Sequence, residues 1–378
     1  MRVRVFLHHL GTRIPVGILA QTEQGILFEY HPDFLERGIP LSPYFLPLRP
    51  GTFFDDKQTF DGLFGVFNDS LPDGWGLLLL DRALARQGRS LAQASPLERL
   101  TLVGSCAMGA LEYEPDASSI EEGALPDLDT LAKESLRILG EREYHGEHLD
   151  DLLRLNGSLA GARPKIMLSI PDEDGTLQPW IIKFRALEDR PDAGLVEYRH
   201  SLAARLAGLD MPETRLFPSK DGAGYFGIRR FDRRNGLKIH THTACGLLHA
   251  SHRFPSLNYE NLIRLTASLT QDKREVERMV RLMIFNVKAG NQDDHSKNFS
   301  FCMDADHRWH LSPAYDLTPS TGINGEHCST VNGKGRDITD ADLAKAAAVG
   351  GVGAKKVKEM IEQVVEALGE YIAQPESN

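Results

Sequence analysis

Cysteine is scarce in this chain. Cys106, Cys245, Cys302 and Cys328 lie far apart and form no C-x-x-C pair. They read as isolated thiols in a reducing cytosol, so a cytoplasmic protein is expected. Long apolar runs are missing too. No stretch of about eighteen apolar residues exists, so no membrane span is expected. The apolar run behind Arg4 is too short for the core of a signal peptide. Positive charge is in deficit, with a net charge of −10. That argues against broad coating of nucleic acid or anionic membrane, both of which need a basic surface. Repeats and low-complexity tracts are absent as well. What remains is ordinary: 378 residues, 41% apolar and 25% charged. Such a chain can bury a sizeable core and fill two or three domains.

The pattern changes along the chain. Residues 1–30 alternate in strand fashion, with turn signals at Gly11-Thr12 and Gln24-Gly25, and predict an antiparallel meander. In 60–90, Asp69-Ser70 or Asp73 is placed to cap a helix running through Trp75 to Leu80 and ending near Gly88. Trp75 is expected in the core, and DSLPDGWG is expected to be a structural turn. The acidic, Pro- and Gly-containing stretch 113–129 reads as a linker. Two helical patterns follow, then strands from 156, a helix over 195–209, and strands ETRLFPS and YFGIRRFD. Helices dominate from about 258. In one of them Val276, Val280, Met283, Ile284 and Val287 share a face, and Gly290 is placed to stop it.

That helix ends at GNQDDHSKNFSF (290–301), a dense polar cluster set against a strand-like run. FSFCM, DADH and RWHL read as strand, turn and returning strand, followed by SPAYDLTPS. A hairpin returns its second strand to where the first began. Asn298 and Asp316 are therefore expected at the same end as Asp293. An Asp followed five residues later by an Asn, with a second Asp after a hairpin, is the kinase arrangement. One carboxylate accepts the substrate hydroxyl proton, while an amide oxygen and a second carboxylate hold Mg²⁺, a hard cation suited to oxygen ligands. Lys297 is placed to steady the transferring phosphoryl group.

A kinase needs more upstream, and the parts are in order. Lys183 lies in the strand WIIKF with apolar neighbours. Glu197 opens the next helix and is placed to pair with it. GSLAGARPK (157–165) precedes both. It is neither a Walker A sequence nor G-x-G-x-x-G, but Gly157, Ala160, Gly161 and Ala162 let backbone N–H groups approach phosphates.

Together these segments resemble the HipA family of serine/threonine kinases, the toxins of bacterial toxin–antitoxin pairs, over almost the whole chain. FNDSLPDGWG (67–76) and MGALEYEP (108–115) are similar to its N-terminal domain, and SLAGARPK to its phosphate loop. WIIKF is similar to the segment of its ATP lysine and YFGIRRFDR to its hinge. DDHSKNFSF and LSPAYDLTPS resemble its catalytic and metal segments. The resemblance implies an α+β, two-lobed kinase-like fold with an added N-terminal α+β domain: 1–125 N-terminal domain, 126–232 small lobe, 233–378 helical large lobe. It implies Asp293 as general base, Asn298 and Asp316 on Mg²⁺, and Lys183 on the α/β-phosphates of ATP. Ser158, Gly161 and Ala162 would line the loop, and the backbone around Arg229, Arg230 and Phe231 would hold adenine. Ser158 would be the autophosphorylation site, its phosphate ejecting the loop. A protein substrate is implied, aminoacyl-tRNA synthetases being family targets. The implied partner is a HipB-like helix-turn-helix antitoxin, with DNA reached only through it. One departure stands out: Arg229-Arg230 occupy the hinge where a Glu is expected at the first position.

Plainer readings exist for each piece alone. Asp293, Asp294 and His295 resemble a helix-end capping cluster. Lys183 alone would be a solubility lysine. His295 is expected to bond backbone within its loop. The histidine-rich 239–252 has ligand types suited to zinc but a spacing that matches no motif, and reads as a loop. Three other functions compete: a small-molecule phosphotransferase, a catalytically silent module binding antitoxin or DNA complex, and a metal-dependent hydrolase. The ordered set Lys183, Asp293, Asn298 and Asp316 favours the protein kinase.

Overall fold

The computed structural model describes residues 1–118, 127–141, 144, 146–251 and 256–372. The expected boundary at 125/126 lies outside the described residues, as does His252. By its contacts the chain forms two compact units. One is Met1–Leu195 with Thr214–Thr241, and the other is Val196–Glu213 with the residues from His242 onward.

The first unit begins with the meander: β1 (Arg2–His9), β2 (Thr12–Thr22) and β3 (Gly25–Tyr30). Val3, Val5 and Leu7 are buried while Arg2 and Arg4 point out, the period of two that a half-buried strand requires. β4 (Thr52–Phe54) and β5 (Leu111–Glu114) flank it in the order β4-β3-β2-β1-β5. The helices here are α1 (Pro32–Arg37), α2 (Gly65–Asn68), α3 (Gly74–Arg86), α4 (Pro96–Val103), α5 (Leu128–Gly140) and α6 (Leu149–Asn156). A second antiparallel sheet, ordered β6-β7-β9-β8, joins β6 (Lys165–Pro171), β7 (Leu177–Lys183), β8 (Thr214–Phe217) and β9 (Tyr225–Arg229). A short hairpin, β10 (Arg233–Arg234) and β11 (Leu237–Lys238), follows.

A core in this unit joins α3, α5 and α6 to the second sheet. Trp75 and Leu79 of α3 pack with Leu131 and Ile138 of α5, with Leu149 and Leu152 of α6, and with Ile166, Trp180 and Ile182 of the second sheet. Each such side chain removed from water contributes about 1.5–3 kcal/mol. The N-terminal helix and the sheet that bears Lys183 are therefore held in one packed body.

The second unit takes most of α7 (Ala193–Leu206), then α8 (Ala244–Leu248), α9 (Tyr259–Thr270) and α10 (Lys273–Ala289). β12 (Thr241–Thr243) pairs in the order β12-β13-β14 with β13 (Ser300–Met303) and β14 (Trp309–Leu311). α11 (Asp340–Ala348) and α12 (Ala354–Ile372) close the chain. α10 buries the expected Val276, Val280, Met283 and Ile284, but also Met279, Leu282 and Phe285, while Val287 is half-buried. The apolar stripe is wider than the periodicity suggests because α9 and α12 both pack on this helix. Gly290 ends it at φ 72°, its N–H bonding Asn286 O and Val287 O, a conformation that glycine adopts without a Cβ clash. Among the described residues no helix is long and apolar enough to cross a membrane.

Candidate active site

In the first unit, α6 ends at Gly157 (φ 54°) and the chain runs through 158–164 into β6. Ser158 is only 1% exposed. Its Oγ accepts the main-chain N–H of Met108 at 2.7 Å. Gly161 donates its N–H to Asp73 Oδ1. The Lys165 ammonium, buried beneath the loop, donates to Ala160 O. Arg163 grips Asp189 with two bonds of 3.0 and 2.9 Å. Ala162 passes against Gly74, so the loop backbone is closely covered there.

Lys183 is the last residue of β7, opposite Lys165 on β6 and Phe226 on β9. Its ammonium lies 5.7 Å from the Phe226 ring centre, a cation–π contact. Glu197, on α7, is buried and belongs to the second unit. In the segment expected to be the hinge, Arg230 donates its N–H to Pro179 O at 2.9 Å, extending the β7–β9 pairing. Its guanidinium forks onto Asp232 at 2.9 and 2.7 Å. Arg230 thus serves the sheet and an ion pair, and Phe231 follows it half-buried. The unexpected hinge residue Arg229 pairs with Asp172 at 3.5 Å.

The second unit holds the polar cluster, and α10 delivers it. The chain turns at Gly290 and enters the loop 291–295, then a single 3₁₀ turn, Ser296–Asn298, leads into β13. Asn298 Nδ2 donates to the main-chain O of Asp293 at 2.8 Å. That bond joins the two residues five apart and leaves Oδ1 as the acceptor of the amide. On the returning side, Asp316 takes a left-handed backbone (φ 57°). Such a conformation is uncommon outside glycine, but aspartate tolerates it, and it clusters at functional turns. Asp316 O accepts from Asn291 Nδ2 at 3.0 Å. Asn291 Oδ1 in turn accepts from Ser320 Oγ at 3.0 Å, and Ser320 Oγ accepts the N–H of Asp293 at 3.1 Å. Asn291 and Ser320 therefore tie the Asp293 segment to the Asp316 segment.

Beneath them, Asp294 is fully buried. It accepts from Tyr259 Oη at 2.7 Å and from Ser329 N at 3.0 Å, and lies 2.9 Å from His327 Nδ1. Gln292 pins the chain beyond Asp316: its Oε1 accepts Gly322 N–H at 3.0 Å and its Nε2 donates to Gly325 O at 3.2 Å. His295 Nδ1 accepts the N–H of Lys297 at 3.3 Å, the local backbone role expected for it. The Lys297 side chain is buried. Cys328 is half-buried, and burial first, then the charges of Asp293 and Asp294, push its thiol up to about 11. It stays a neutral thiol at pH 7.

These oxygen types suit Mg²⁺. Asn298 Oδ1 is oriented by the donation of its own NH₂ to Asp293, and the Asp316 carboxylate on the facing segment would be a second hard ligand. Among the histidines, His240 Nε2 lies 2.9 Å from Leu41 O in the first unit. His242 sits by Trp309 in the second, their rings 6.4 Å apart. Asn291, Gln292, Tyr259, Ser320 and His327 carry roles that the motif alone does not announce. Of these, only Asn291 and Gln292 stand inside the polar stretch.

Family models match both parts of the chain: a HipA N-terminal domain over residues 6–114 and a HipA-like C-terminal domain over 157–372. The protein Y4mE of Sinorhizobium fredii is 28% identical, the match covering 99% of this chain and 92% of that one. The serine/threonine-protein kinase toxin HipA of Shewanella oneidensis is 25% identical, with 82% of this chain and 73% of that one covered. The solved complex of Shewanella oneidensis HipA with HipB and operator DNA matches with a TM-score of 0.71 at 20% identity, over 99% of this chain and 92% of that one. The architecture is thus the kinase-like α+β fold with an added N-terminal domain.

Proposed function

This chain belongs to the HipA family, and from that premise we propose that it is an ATP- and Mg²⁺-dependent serine/threonine protein kinase, the toxin of a toxin–antitoxin pair. The observation that carries the reading is the bond between Asn298 Nδ2 and Asp293 O, with Asp316 tied to the same loop through Asn291. A base and two hard oxygen ligands in this order are what phosphoryl transfer to a hydroxyl requires.

Asp293 takes the proton of the target hydroxyl as its oxygen attacks the γ-phosphorus, and the bond to the β-phosphate oxygen breaks to release ADP. Asn298 Oδ1 and the Asp316 carboxylate hold Mg²⁺, which when bound neutralises charge on the phosphates. Lys183 holds the α/β-phosphates, and Lys297 steadies the group in transfer. The loop 157–165 cradles phosphate, and the backbone around Arg229 to Phe231 holds adenine. Ser158 is the self-modification site. Because its Oγ is buried on Met108 N–H, phosphate can reach it only when the loop leaves. A phosphoserine of charge near −2 could not return to the place of ATP phosphates.

The partner we assign is a HipB-like helix-turn-helix antitoxin, with DNA contacted through it. The likeness to a HipA–HipB–operator complex supports this. The substrate is a protein, with aminoacyl-tRNA synthetases the first to try.

Intact mass after incubation with Mg²⁺ and ATP tests the reading, using phosphatase-treated wild type beside Asp293→Asn. One added phosphate in wild type alone, mapped to Ser158, is the expected result. Turnover retained in Asp293→Asn would remove the base, and a phosphate on another residue would remove Ser158.

A further inference from the structure

The stretch 67–76 reads as a turn and helix start, and the structure gives it a second task. Asp73 stands at the N-cap of α3, where an aspartate ordinarily bonds the first N–H groups of its own helix. Its side chain makes no such bond. Oδ1 instead accepts the N–H of Gly161, 88 positions further along the chain. Trp75 then donates its N–H to Gly161 O at 3.0 Å. Both polar backbone groups of one loop residue are taken by two residues of the N-terminal segment. The approach is backbone against backbone: a Cβ on Gly74 (φ +40°) would lie 2.7 Å from Gly161 O and 2.8 Å from Ala162 Cα.

The other end of the loop is held from the same segment. Ser158 Oγ is bound by Met108 N–H, and a Cβ on Gly157 would lie 3.2 Å from Cys106 O. Both holding elements are tied down: at the Met108 end, Ala107 O and Gly109 O accept from the Arg233 guanidinium at 2.9 and 2.7 Å. Trp75 and Leu79 are sunk in the core they share with Trp180 and Ile182 of the sheet bearing Lys183. The loop is thus clamped at 158 and at 161 by a body that is rigid with respect to β7.

We propose that Asp73 is a positioning residue that latches the phosphate loop in its folded-in form, so that the N-terminal segment sets how tightly ATP is held and how readily Ser158 is uncovered. This rests on the reading of 157–165 as a phosphate loop. The Gly161 N–H belongs to the latch, and the phosphates are met by other N–H groups of the loop. Loss of the Asp73 carboxylate removes a charge-assisted bond at Gly161 and leaves the loop to the Trp75–Gly161 main-chain bond and to the contacts made by Ser158, Lys165 and Arg163.

Hydrogen exchange on the full chain without nucleotide tests this, because it needs neither ATP nor turnover. In Asp73→Ala, peptides covering 157–164 are expected to exchange at least tenfold faster, while those of β6 and β7 stay at the wild-type rate. Asp73→Asn keeps an acceptor oxygen of the same shape and is expected to fall between the two. In kinetics, Asp73→Ala should raise KM for ATP at least fivefold with kcat within twofold. Unchanged exchange at 157–164 overturns the latch. Equal acceleration in β6 and β7 overturns it too, since Asp73 would then be a general stability residue. Should Asp73→Ala not fold, Asp73→Asn carries the test, with a two- to tenfold acceleration confined to 157–164 expected. A chain that exchanges as expected but neither binds nor turns over ATP keeps the latch and loses the kinase reading.

Discussion

Tyr259 donates its phenol O–H to the buried carboxylate of Asp294 at 2.7 Å, and the residue before Asp294 is the proposed base. Asp294 takes no part in the proton transfer proposed for Asp293. It is the peg that fixes the loop, and Tyr259 reaches it from α9. The same phenol oxygen accepts from Asn286 Nδ2 at 3.0 Å, and Asn286 Oδ1 accepts from Asn291 at 3.0 Å. One chain of hydrogen bonds therefore runs from Asp294 to the residue that holds Asp316 O. Buried networks of this kind rigidify a site only when every member is satisfied.

Tyr259→Phe should cut that chain without opening a cavity. A hydrogen bond to a charged group contributes about 1.5–3 kcal/mol, so a loss of that order is expected in denaturant melts, with a fall in kcat. Burial first, then the Asp294 charge, raises the Tyr259 phenol well above its ordinary value. In the unfolded chain a tyrosine ionises near pH 10. Stability from this group is thus fully present below that pH and declines as pH rises above it. The variant should lose part of that alkaline decline. Melts that match wild type at pH 7 and at pH 10.5 would show that Tyr259 does not brace the loop.

In the first unit, Asp232 plays the corresponding part. It is fully buried and accepts from Arg230, from Arg233 at 2.7 Å and from Gly109 N–H at 2.8 Å. Burial opposes its ionisation, but the charges of Arg230 and Arg233 outweigh it and hold the carboxyl at about 2. A depressed carboxylate stabilises the fold above its unfolded value, near 3.9, and that contribution is lost as pH falls through about 2. Asp232→Asn leaves the buried Arg230 guanidinium and the half-buried one of Arg233 without their counter-charge, an arrangement that costs about 3–5 kcal/mol. The expected result is a large drop in melting temperature at pH 7 and a shallower acid transition between pH 4 and 2. A melting temperature within a degree or two of wild type would refute this role.

The contrast between these anchors and the proposed catalytic motif explains what the sequence could reveal. Val3, Val5 and Leu7 announce a strand, and the Val276 to Ile284 stripe a helix, because both patterns are local and repeat with the geometry of the backbone. Asp293 and Asn298 are five residues apart, and Asp316 is returned by a short hairpin, so their meeting follows from adjacent elements. Asp73 bonds a partner 88 positions away, and Tyr259 and His327 reach Asp294 over separations of 35 and 33. No periodicity encodes such pairs. An aspartate before a helix reads as a cap, which is why Asp73 passes for a turn residue. Its actual bond depends on how α3 and the 157–165 loop are packed by a common core.

Asn298 offers the sharpest test of the metal assignment, because its two amide atoms have different tasks. Nδ2 holds Asp293 O at 2.8 Å, and Oδ1 is the proposed Mg²⁺ ligand. Asn298→Ala loses both. Asn298→Asp keeps the ligand oxygen and adds a charge, but has no N–H to give Asp293 O. If Oδ1 on Mg²⁺ is what matters, the alanine variant should need far more Mg²⁺, with transfer down about 100-fold or more at physiological Mg²⁺. The aspartate variant should then recover most of the metal dependence while keeping a lower kcat, since the base would be less well held. Chelation by EDTA should abolish transfer in all three proteins. Titrating Mg²⁺ at saturating ATP separates the cases. An alanine variant with wild-type Mg²⁺ dependence and reduced kcat would mean that Asn298 serves the loop alone, and the metal would have to rest on Asp316 and other oxygens.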